Sequence, residues 1–114
     1  LGDVYKRQVS DQEILDAKAA VGRSGIGCEP ASAASVAGLR RLVRAGTISR
    51  SDLVVCIMTG HVLKSPASCL KYHTARREDL GGELSEYGVR ENPLANAPVE
   101  VDDDLDAILR ELKL

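Results

Sequence analysis

Residues 54–66 read VVCIMTGHVLKSP, an apolar run that ends on a threonine followed at once by a glycine and a histidine. Leu53 extends the run by one residue. A continuous apolar stretch of this length, without polar alternation, predicts a strand covered on both faces in a parallel sheet. With a helical pattern before it, the run predicts an α/β layer. In such sheets ligands gather beyond the carboxyl ends of strands, where Thr59, Gly60 and His61 fall.

The rest of the chain bounds what this strand can belong to. It has 114 residues, one domain's worth at most. With no Phe, no Trp and three Tyr, its core must be filled by Ala, Val, Leu and Ile. The net charge of −2 argues against a nucleic-acid binder held by phosphate contacts. Arg40, Arg41, Arg44 and Arg50 stand together without an acid between them, and residues 83–106 are strongly acidic; both read as solvated faces. Cys28, Cys56 and Cys69 form no CxxC pair and no even-numbered framework. With no signal peptide and no long apolar span, the expected setting is cytoplasmic, with no membrane partner. The opening octapeptide LGDVYKRQ, residues 1–8, has no apolar period and no initiator Met, and reads as a foreign or truncated start. The fold argument therefore covers residues 9–114.

Ser10 and Glu13 have the spacing of a capping box, and Val9 and Ile14 that of a hydrophobic staple. They predict a helix with Ile14, Ala17 and Val21 on its apolar stripe and Gly22 at its stop. GIGCEP, residues 25–30, fits a buried strand or an extended linker. A second helix follows, with Pro30 in its first turn and Val36, Leu39, Leu42 and Val43 on its apolar side. The opening turn of that helix is nearly all Ala and Ser, which suits close helix packing or the approach of a ligand to the helix N-terminus. From Ser65 to Ala97 the pattern is broken by Pro66, Gly81, Gly82, Gly88 and Pro93, with a short helix expected from Lys71 to Asp79. Val99 and Val101 alternate with polar neighbours as in a short edge strand. Asp102, Asp103 and Asp104 then suit the start of a last helix striped by Leu105, Ile108, Leu109 and Leu112.

Candidates for chemistry are few. Cys69 and His73 lie four apart, but no paired ligand spacing accompanies them, so no metal site is expected. Cys56, within the run, reads as an inert core thiol. Glu29, just before Pro30, either caps its helix or contacts a cofactor. The Arg-rich LRRLVRAGTIS stretch lacks the second helix and basic wing of a DNA-binding module, and a non-catalytic ligand-binding α/β module is the alternative of another class.

Two motifs, E-P-A-S-A-A at residues 29–34 and T-G-H-x-L-K at residues 59–64, occur in this order about thirty residues apart. With VSDQEILDAKAAV before them and APVEVDDDLDAILREL after them, the chain resembles the C-terminal part of threonine synthase. That family uses pyridoxal 5'-phosphate (PLP) on a tryptophan-synthase-β-like fold. The resemblance implies a partial three-layer α/β/α large domain of a fold-type II PLP enzyme. It places Thr59 against the pyridine nitrogen of PLP, Gly60 close to the ring, Glu29 near the cofactor and His61 beside it. A neutral hydroxyl at that position leaves the ring nitrogen largely unprotonated, which moderates the electron sink. The family's commoner run is T-G-H-G-L-K-D; Val62 and Ser65 depart from it, and a positive φ at that second glycine would strain Val62. The Schiff-base lysine and the phosphate loop of the family have no counterpart in these residues, so no catalytic residue is expected in the fragment, which alone would be inactive. The resemblance implies that the intact enzyme converts O-phospho-L-homoserine and water into L-threonine and phosphate, with a homodimer as its candidate assembly. The runner-up is a related PLP lyase such as threonine dehydratase.

Overall fold

Ser10 opens the first helix through two reciprocal bonds. The Glu13 N–H donates to the Ser10 hydroxyl at 3.3 Å, and the Ser10 N–H donates to the Glu13 carboxylate at 2.8 Å. This is the capping box that the spacing predicts. The backbone bond from Ser10 is the main reason the Glu13 carboxyl lies below the usual carboxylate range. The computed structural model describes residues 6–76, 80 and 82–114; residues 1–5 of the opening octapeptide lie outside them. Helix α1 spans Asp11–Arg23, and Val9 and Ile14 pack into one apolar cluster as the staple requires. The stop lies further on than predicted. Gly22 is inside the helix, and the left-handed turn falls at Gly25, with φ +84. Only a residue without Cβ adopts that angle cheaply, so the later glycine ends the helix.

Helix α2 spans Pro30–Arg44, with Pro30 at its first position. Its buried residues are Ser32, Ala33 and Ala37. Ala33 and Ala37 meet Ala17 and Val21 of α1, with Cys28 in the same cluster. The predicted stripe is thus shifted: Val36 packs at the margin of this cluster, whereas Leu39, Leu42 and Val43 are only half-buried. Small side chains let the two helix axes approach closely, and the larger ones are left at the sides of the contact. Burial pushes the Cys28 thiol above its ordinary range, a shift that the nearby Lys18 charge opposes.

The expected α/β architecture is not formed. Among the described residues there are helices and no strand, so the partial three-layer α/β/α sheet is corrected to a helical arrangement. Residues 53–59 carry no regular secondary structure and no ladder partner among the described residues. Leu53 is 97% exposed, and Val55 and Ile57 also face solvent. A strand exists only where a neighbour accepts and donates its backbone bonds. Here the neighbour is helix α2, which offers side-chain hydroxyls instead. Alternation returns in weakened form, with Met58 packed against the α1–α2 cluster. Cys56 is half-buried, not the fully buried core thiol expected. The 25–29 stretch is a linker, and Val99 and Val101 are likewise irregular, exposed and unpaired.

A second apolar cluster forms on another side of α1, where Leu15 and Ala19 meet Tyr72, Leu80, Leu84 and Val89. Tyr72 comes from α3, Pro66–Thr74. This helix begins five residues before the expected one because Pro66 is its first residue, a place where the missing N–H costs nothing. Residues 77–79 of the expected helix lie outside the described residues. The short α4, Glu83–Glu86, follows. The 89–96 segment is fixed by side chains: the Gln12 amide oxygen accepts N–H bonds from Arg90 at 2.8 Å and Glu91 at 3.2 Å. Asn92 Nδ2 donates to the Tyr72 and Ala75 carbonyls, each at 2.9 Å. Helix α5, Leu105–Leu112, is capped as expected, the Ala107 N–H donating to the Asp104 carboxylate at 2.9 Å. Its apolar residues Leu105, Ile108 and Leu112 are exposed. The radius of gyration is 16.4 Å, against about 13 Å for a compact chain of this size. Among the described residues no helix is long and apolar enough to cross a membrane.

Candidate functional site

The fold brings the two sequence motifs into contact at the N-terminus of α2. The side chain of Ser32, 3% exposed, points at the end of the extended run. Its hydroxyl oxygen accepts the Thr59 N–H at 2.9 Å and the Gly60 N–H at 3.0 Å. It also lies 3.3 Å from the Thr59 hydroxyl. One turn further along, the Ser35 hydroxyl donates to the Ser32 carbonyl at 2.9 Å and lies 3.4 Å from the Ile57 carbonyl. From the other side the Glu29 N–H donates to the Gly60 carbonyl at 3.0 Å. Residues 59 and 60 are therefore held along the helix start by the Ser32 hydroxyl and one backbone N–H.

Gly60 is needed here for space. A side chain on it would run into the Glu29 carboxyl group, which lies directly over the glycine. That carboxylate pairs with Lys64 at 3.1 Å, on the turn that follows. Glu29 is the N-cap residue of α2, but its side chain makes no capping bond. Its carboxylate is turned to the T-G-H-x-L-K loop instead. Thr59 is exposed, and among the described contacts its hydroxyl meets only Ser32.

His61 has a local task. It is the N-cap of a 3-10 turn over Val62–Lys64, and its Nδ1 accepts the Leu63 N–H at 3.2 Å. Val62 sits in that turn without a positive φ and packs against Gly27, so the strain that a glycine-specific conformation would bring is absent from it. Ser65 caps nothing with its side chain, while its carbonyl accepts bonds from Ser68 at 3.2 Å and the Cys69 thiol at 3.0 Å.

Glu29, Thr59, Gly60 and His61 are thus brought to one place. Sequence reasoning read Ser32 only as one of the small residues of the helix opening and gave Ser35 no role. Their signal is present in retrospect: two serines three apart in an otherwise Ala-rich helix opening, so that both hydroxyls fall on one face.

No family model matches the chain. It is 59% identical over 63 residues to threonine synthase of Methanosarcina acetivorans, an alignment covering 54% of this chain and 16% of that enzyme. Over about half its length the chain is thus similar to a short stretch of threonine synthase. Threonine synthase of Methanocaldococcus jannaschii is 46% identical over 68 residues, covering 59% of this chain and 17% of the relative. That of Halalkalibacterium halodurans is 42% identical over 64 residues, with 55% and 18% covered. The chain therefore matches less than a fifth of the length of these threonine synthases.

Proposed function

We propose that this chain is the C-terminal part of a PLP-dependent threonine synthase, contributing cofactor contacts to an enzyme that converts O-phospho-L-homoserine and water into L-threonine and phosphate. The observation that carries the reading is the contact between the two motifs, with Ser32 and Glu29 holding Thr59 and Gly60. Identity to named threonine synthases supports it. When bound, PLP supplies the electron sink for carbanion chemistry on an amino-acid substrate.

The residues present fit such a group. Thr59 offers an exposed, neutral hydroxyl on a backbone pinned at two N–H groups, the donor that a pyridine nitrogen takes without being protonated. Gly60 keeps the backbone bare beside it, and the Glu29 carboxylate, neutralised by Lys64, borders the site. His61 shapes the loop by capping its turn. The family's Schiff-base lysine has no counterpart among these residues, and Lys64 pairs with Glu29.

The test uses the full-length protein that carries this segment. Turnover of O-phospho-L-homoserine to L-threonine and phosphate is expected, and turnover of threonine with no phosphohomoserine activity would assign it to a threonine dehydratase-like lyase instead. Thr59→Ser should keep most activity. Thr59→Ala should cost roughly 1–3 kcal/mol, the penalty of a polar atom left without its partner in a dry site, or about ten- to a hundredfold in cofactor affinity and rate together. Unchanged PLP affinity and turnover in Thr59→Ala would remove Thr59 from the site.

A further inference from the structure

We propose that Ser32 is a positioning residue that fixes the direction of the Thr59 hydroxyl, turning its proton outward toward the ligand. The inference deepens the reading of the site as a PLP pocket and rests on it.

A serine hydroxyl has one proton and two acceptor positions. Backbone N–H groups can only donate, so the Thr59 and Gly60 amides, at 2.9 Å and 3.0 Å, take both acceptor positions of Ser32. Among the described residues the one contact left to Ser32 is the Thr59 hydroxyl at 3.3 Å, and the one thing left to give is its own proton. Ser32 therefore donates to Thr59. The Thr59 oxygen is thereby used as an acceptor on its inner side, and its own O–H is left to point away from the helix. Because Ser32 is buried and Thr59 exposed, that proton faces outward from the protein.

A site built this way presents a fixed donor and selects an acceptor. It favours a ring nitrogen with a free lone pair over one already carrying a proton or a methyl group. The preference follows from the two backbone N–H groups that saturate Ser32, so it is a property of the helix start and the run together. A serine that merely closed a helix–loop contact would hold the two amides and exert no effect on which ligand atom is accepted.

The experiment measures two things in the full-length protein, for the wild type, Ser32→Ala, Ser32→Thr, Thr59→Val and the Ser32→Ala, Thr59→Val double variant. The first is amide hydrogen exchange of the peptide covering residues 57–64 in the cofactor-free form. The second is the affinity ratio of PLP to its N-methylpyridinium analogue. In Ser32→Ala the Thr59 and Gly60 amides should exchange about tenfold faster, as expected when an acceptor is lost, with α1 and α3 unchanged as a check on folding. The PLP preference should fall by a similar factor in Ser32→Ala and in Thr59→Val, and no further in the double variant. Ser32→Thr, which keeps the hydroxyl, should restore both readouts. Unchanged exchange in Ser32→Ala overturns the clasp, whether or not PLP binds. Faster exchange with an unaltered PLP preference overturns the fixed proton direction and leaves the cofactor reading standing. A wild type without affinity for PLP overturns the cofactor reading and the role of the outward donor, and the exchange arm still decides the clasp.

Discussion

Gly60 and Glu29 compete for one small volume, and this makes their coupling measurable. Gly60→Ala places a methyl group where the Glu29 carboxyl lies. The carboxylate is the end of a flexible side chain, so it should swing aside and release Lys64, which is itself largely exposed. The Lys64 end of the pair is screened by water while Glu29 is largely covered, and the expected loss is about 1 kcal/mol. The informative measurement is a double-mutant cycle by denaturant unfolding. In a Glu29→Ala background the cost of Gly60→Ala should vanish, because the overlapping atoms are gone. A cost that persists there would mean that Gly60 is held by something other than Glu29. Sequence reasoning singled out both residues, yet it gave Gly60 to a ligand and left its packing against Glu29 unseen, since nothing in T-G-H-V-L-K says which side chain will lie over the glycine.

At the scale of elements, α3 and the 89–96 segment share a titrating contact. The Asn96 N–H donates to His73 Nδ1 at 2.9 Å, a bond only the unprotonated nitrogen accepts. Burial lowers the His73 pKa, and the charge of Lys18 adds to the effect. A histidine depressed in the folded state stabilises the fold above its unfolded value, about 6.5. That contribution is lost as the pH falls through the lower folded value. Amide protection across 89–96 should therefore decline on the acid side of neutrality, and His73→Gln should flatten the decline; an equal acid response in that variant would place the sensitivity elsewhere. Local chemistry makes α1, α2 and α5 legible: Ser10 with Glu13, Pro30, and Asp104 each state where a helix begins. Pro66 carries the same information but reads as a breaker, because a proline marks a helix start only when the residues after it are known to be helical. The 53–58 run misleads for a different reason. Apolar continuity asks for cover on both faces, yet Leu53, Val55 and Ile57 stay in water here, and a strand needs partners that only tertiary structure supplies.

For the whole molecule, the consequence is apolar surface left in water. Leu53, Val55 and Ile57 on the extended run and Leu105, Ile108 and Leu112 on α5 are all exposed. Patches of this kind drive association. The isolated 114-residue chain should self-associate with rising concentration, and paired Val55→Lys and Ile57→Lys substitutions should shift it toward monomer without lowering its unfolding free energy. Sedimentation velocity reads the first and denaturant unfolding the second. A chain that stays monomeric at high concentration before any substitution would show that these residues are covered in solution.

Tyr72 has an optical consequence. The chain has no tryptophan and three tyrosines, so its intrinsic ultraviolet emission is tyrosine emission alone. Tyr72 is 1% exposed, and its hydroxyl donates to the Asp16 carboxylate at 2.6 Å, whereas Tyr87 stands in water. A carboxylate holding the phenolic proton offers the excited ring a route to give that proton away, which dims its light. Docking of α3 onto α1 thus quenches one particular fluorophore, and loss of that docking restores it, so the molecule carries its own signal for the joining of the two helices.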